Sequence, residues 1–151
     1  PNETNCVKPY FPTMSACSAV GIAAAAFNGT MLIWNVGFLR SESIAKYNRN
    51  LFSVEGQVAV LLWASAYAAA AVDAQSSSSC GGSTIWLIFA VEKMWYFYTW
   101  IRWNQNNDGI KLVKLALQSH DKLDVLAPLF HTLYGICDLT FGIMFAWLWL
   151  S

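Results

Sequence analysis

Charge is what this chain has least of. Asp, Glu, Lys and Arg make up 12% of its 151 residues, about half the share of an ordinary soluble domain. The nine acidic and nine basic side chains cancel, so there is no electrostatic footprint for nucleic acid. With four cysteines and two histidines, no spacing of Cys and His matches a zinc site. No long polar segment is available to form an extramembrane active site, and no catalytic motif is present. The absence of a large loop also argues against claudin-like or tetraspanin-like architectures.

What fills the chain instead is apolar and aromatic: 56% apolar residues, with eight Trp, six Tyr and nine Phe. A soluble core of this size cannot absorb such an excess. The spacing predicts four apolar helices at about residues 17–39, 51–72, 84–103 and 125–150. Each has the roughly 20 residues that cross about 30 Å of hydrocarbon at 1.5 Å per residue. The expected fold is therefore all-α: a single four-transmembrane-helix up-down bundle, with short connections that keep consecutive helices antiparallel. Residues 1–16, interrupted by Pro9 and Pro12, read as an extended arm; a chain that begins at Pro1 without an initiator Met reads as one whose leader has been removed or whose first residues are left out. Between the last two spans, Ile110, Val113, Ala116 and Leu117 oppose Lys111, Lys114 and Gln118. That pattern predicts one short interfacial amphipathic helix, with His120 solvated beside it.

Orientation follows from the cations, because basic loops resist translocation. Arg40, Lys46 and Arg49 lie in the first connection, and Arg102, Lys111, Lys114 and Lys122 lie at or beyond the end of the third span. Only Lys8 falls on the opposite face, and Lys93 lies within the third span. Both termini are thus expected on the face away from the basic loops. That face carries Cys6 and Cys80, for which a disulfide is the expectation and two free thiols the alternative. Cys17 and Cys137 read as packing residues.

Depth counting collects the remaining polar residues into layers. Asn28, Glu92, Lys93 and Asp138 fall roughly 15 to 20 Å from the basic-loop face, and Asn35, Glu55, Gln57 and His131 roughly 6 to 9 Å from it. On the fourth span Ala127, His131, Gly135, Asp138 and Gly142 share one stripe. Gly21, Ala25 and Gly29 on the first permit close helix approach. Charges in hydrocarbon are costly, about 2.5–3.5 kcal/mol each on insertion scales, so the expectation is a Lys93–Asp138 pair. The layer has three readings: interhelical hydrogen bonding that holds the bundle together, a proton path or catalytic pocket, and ligation of a cofactor. Gln57 is turned about 200° from Glu55, so if Glu55 faces the bundle, Gln57 faces lipid or a partner. Trp63, Trp86, Trp95, Phe97, Trp100 and Trp147 are expected to point outward.

Three stretches carry a resemblance: RSESIAKYNRNLFSVEGQ at 40–57, FAVEK at 89–93 and LYGICDLTFG at 133–142. They resemble small four-span membrane proteins. The size, aromatic load and minimal loops are similar to those of accessory membrane subunits of photosystem I supercomplexes in red-lineage algae, a likeness of architecture that covers the four spans. The three-helix Glu/Arg pairing of the chlorophyll a/b proteins is absent. The resemblance implies a non-catalytic chloroplast thylakoid subunit with both termini in the lumen, bound to lipids and to other membrane subunits. It also implies contact with chlorophyll and carotenoid, with His131, Gln57 and Glu92 as candidate pigment ligands. A mitochondrial inner-membrane subunit is the alternative of the same kind. The competing class is a four-helix membrane enzyme or carrier for a small apolar ligand, in which Glu92, Asp138 and His131 would transfer protons. The Asn2-Glu3-Thr4 sequon separates compartments, since a glycan on Asn2 would mark the secretory pathway.

Overall fold

The computed structural model describes residues 14–33, 53–76, 82–118 and 123–151. Among these the chain is all-helical, with α1 (Ala16–Ile33), α2 (Val54–Ser76), α3 (Thr84–Asn107), α4 (Gly109–Leu117) and α5 (Leu123–Leu150) and no strand.

Local chemistry sets the boundaries. Ser15 precedes α1 and its Oγ accepts from the Ser18 N–H at 3.1 Å. Ser53 does the same for α2, accepting from Gly56 N–H at 3.1 Å. Each hydroxyl satisfies one of the amides a helix start leaves without an intrahelical partner. α3 and α4 meet at Asp108, whose φ of +48° breaks the helix. Asp tolerates this left-handed region better than most residues, and its side chain caps α4 by accepting from Lys111 N–H at 3.3 Å. Alanine, the strongest helix former, recurs through α1 and α2.

Packing organises the long helices into two close pairs, α1 on α2 and α3 on α5, which meet along α1 and α5. The α3–α5 pair is antiparallel in one register. Gly82 N–H donates to Trp149 O at 3.1 Å, Lys93 meets Asp138, and Trp100 Nε1 donates to His131 O at 2.9 Å. Small residues permit the approach: a Cβ on Gly21 would sit 2.8 Å from Ala71 Cβ, and one on Gly135 would run into the Trp100 ring. Between the pairs lies an aromatic core. Tyr67, Phe89, Trp86 and Phe145 interlock, with Tyr67 edge-on to Phe89 at 4.7 Å and stacked on Phe145 at 5.4 Å. Such pairs add about 0.5–1.5 kcal/mol beyond burial.

Two helical stretches, Val54–Gln75 and Pro128–Leu150, are long and apolar enough to cross a membrane. Four spans were expected. α3 spans the length, but Glu92, Lys93 and Arg102 lower its hydropathy, and the apolar part of α1 at Ala16–Thr30 is shorter; the remainder of the first expected span, to residue 39, lies outside the described residues. Both apolar stretches are mostly uncovered.

Two further expectations are corrected here. Trp86 is buried, not outward, because it shares a helical face with Phe89, Ala90 and Lys93. Trp63 and Trp100 also turn inward, Trp63 onto Tyr67 and Phe89, and Trp100 onto Gly135. Trp95 and Trp147 are exposed, as expected. Cys17 is disulfide-bonded rather than a plain packing residue, and Cys137 is free. Cys6 and Cys80 lie outside the described residues.

Candidate functional site

Each long helix contributes a polar group to one point in the interior: Asn28 from α1, Tyr67 from α2, Glu92 and Lys93 from α3, and Asp138 from α5. Glu92 and Lys93 are adjacent and diverge by about 100° around α3. Both remain inside because α3 faces α2 on the Glu92 side and α5 on the Lys93 side.

Lys93 is the hub. Only 2% of it is exposed. Its ammonium donates to Asp138 Oδ1 at 3.0 Å and to Asn28 Oδ1 at 3.2 Å, and lies 3.9 Å from Glu92 Oε1. It also sits 5.2 Å from the centre of the Tyr67 ring and 6.0 Å from that of Tyr96, so π faces replace part of its lost hydration. Glu92 is held from the other side by the Tyr67 hydroxyl, which donates to Oε2. Beside these groups is an opening of about 30 Å³ lined by Phe27, Val60, Trp63, Tyr96 and Tyr134 together with Asn28, Glu92, Lys93 and Asp138. That is room for about one or two waters.

The expected middle layer is therefore assembled: Asn28, Glu92, Lys93 and Asp138 meet, and Lys93 chooses Asp138. The second layer is not. Glu55 is exposed in the first turn of α2, where a helix start favours a carboxylate, and does not join a buried layer. Asn35 lies outside the described residues. Gln57 is half-buried one turn into α2. His131 is fully buried among Trp103, Phe130 and Tyr134, with ring centres 5.3, 5.6 and 6.2 Å away. It stands about two turns along α5 from Asp138, outside the charged centre.

Tyr67 is the member that reading the residues missed. An aromatic in an alanine-rich span has the same signature as a lipid anchor, and the pairing with Glu92 depends on how α2 and α3 are rotated.

A chlorin macrocycle does not fit this centre. The opening is far smaller than the several hundred Å³ a ligand pocket needs, Glu92 is engaged by Tyr67, and the His131 ring is enclosed by aromatics. Of the three residues suggested for pigment, only Gln57 is partly exposed. Comparison with protein families, with curated proteins and with solved structures found no match.

Proposed function

We propose that this chain is a non-catalytic integral membrane subunit, a four-span bundle whose buried polar centre fixes helix packing and whose outer faces meet lipid and neighbouring subunits. The inverted polarity of the bundle carries this reading. Lys93, Glu92 and Asp138 are inside, while Leu62, Val91, Trp95, Trp147 and Leu150 are exposed. In water that arrangement would bury charge and expose apolar surface at the same time, two unfavourable terms; in a bilayer both reverse. On this reading α1 and α3 also cross. Internal ion pairing offsets the charge of α3, and exposed Ile110 and Leu117 of α4 lie against the interface with Lys111 and Lys114 at headgroup level.

A photosynthetic membrane complex is the setting we favour, on the architectural resemblance to photosystem I accessory subunits. Pigment contact then belongs to the outer surface: the exposed aromatics of α3 and α5, and Gln57 near the start of α2. The test is the absorption spectrum of the native particle after alkaline carbonate washing of the membranes. Retention in the pellet with stoichiometric chlorophyll is the expected result. Release into the wash would sink the membrane reading; retention as a colourless monomer would sink the pigment-protein setting alone.

One observation favours a second reading. Two carboxyls, an ammonium and a phenol converge beside an opening, which is the equipment of a small proton-transfer site. Space for one or two waters and no larger molecule weighs against an enzyme or carrier acting on an apolar ligand.

A further inference from the structure

The centre holds two carboxyls and one ammonium. No other cation among the described residues approaches within ion-pair distance of Glu92 or Asp138. The other groups that face it are neutral: Asn28 from α1, Tyr67 from α2, Tyr96 from α3 and Tyr134 from α5. If all three charged groups were ionised, an uncompensated negative charge would be enclosed by four helices. Burial alone imposes this imbalance, whether the surroundings are lipid or a water-excluded core.

The geometry distinguishes the two carboxyls. Asp138 receives a direct charge-assisted hydrogen bond at 3.0 Å from Lys93, the arrangement of an ionised partner. Glu92 stands off, its Oε1 3.9 Å from the ammonium, beyond hydrogen-bond reach. Its side chain is 7% exposed, and Oε1 is buried with no hydrogen-bond partner, while Oε2 accepts from Tyr67. A buried carboxylate oxygen left in this state is the costlier case, because a neutral carboxylic acid has no charge to desolvate. Glu92 also lines the opening, which has space for about one or two waters beside the side chain.

We infer that Glu92 is a proton-binding site: at neutral pH it carries one proton on Oε1, exchanged with water held in the opening, while Lys93 and Asp138 form the ionised pair. The ligand is a proton taken from water, and the charge of the centre is then zero. This inference is independent of the pigment reading and of the membrane reading.

Infrared spectroscopy of the purified full-length protein tests it, since the C=O stretch of a carboxylic acid is well separated from carboxylate bands and shifts in D2O. The wild-type protein at neutral pH should show such a band, and E92Q should lose it. D138N should lose it as well, because Glu92 then becomes the sole counterion of Lys93 and ionises. Tyr67→Phe locates the proton. Removing the hydroxyl should shift the frequency if the acid is Glu92 and leave it unmoved if the acid is Asp138. Absence of the band in wild type, its survival in E92Q, or an unmoved frequency in Tyr67→Phe would each overturn the assignment. Wild type and Tyr67→Phe suffice if the other variants do not fold.

Discussion

At the scale of single residues, the structure turns on Lys93. Its attraction to Asp138 is strong because both are withdrawn from water, and it offsets a desolvation cost of several kcal/mol per ion. Substituting one member therefore does more damage than removing both. Lys93→Met should destabilise by about 3–5 kcal/mol by leaving Asp138 without its cation; Lys93→Met with Asp138→Asn should recover much of that. Denaturant unfolding of the four members of this double-mutant cycle measures the coupling, and additive effects would mean that the contact at 3.0 Å contributes little. Asn28→Ala should cost about 1.5–3 kcal/mol, the range for a hydrogen bond to a charged group. The Lys93–Asp138 pair was legible from depth along two helices, because rise per residue converts sequence position into level. Tyr67 was not, because a phenol announces neither its depth nor its partner.

At the scale of elements, close approach depends on the glycines. Gly21 sits where α1 crosses α2 with no space for a methyl group. Gly21→Ala should cost about 1–3 kcal/mol by overpacking, and Ala71→Gly in the same chain should restore part of it. A thermal melt of the single and double variants decides this, and equal losses would place the contact elsewhere. Gly29, part of the same small-residue pattern, has open space around it. Gly29→Ala should therefore be neutral or slightly stabilising, since alanine propagates helix better by about 1 kcal/mol. The spacing at 21, 25 and 29 marked a face for close packing without saying which of its members touches. The separate short helix after the third span was legible from its amphipathic pattern, whereas the residue that makes the break, Asp108 at positive φ, was not. The inward turn of Trp86 was not legible either. Its composition reads as a membrane anchor, whereas its phase with Phe89 and Lys93 places it in the core.

At the scale of the whole molecule, the described residues place Lys93, Glu92 and Asp138 inside and many large apolar side chains outside, and one outward substitution tests what solvent they meet. Leu62 is 66% exposed on α2, within the apolar stretch Val54–Gln75. Leu62→Arg should cost about 2.5–3.5 kcal/mol of insertion free energy if that face meets hydrocarbon, and within about 0.5 kcal/mol if it meets water. Glycosylation mapping of membrane insertion, or yield in the membrane fraction, reads the difference. The sequence by itself determined the helical class, the places where helices begin, and the middle polar layer, because hydrophobic period and rise per residue are local properties of the chain. Only the tertiary structure decided that Tyr67 holds Glu92, that Glu55 stays outside, and that Cys17 enters a bridge. Each of these depends on the rotation of one helix about its own axis against its neighbours. That angle is set by the packing of glycine against alanine and ring against ring between helices remote in sequence.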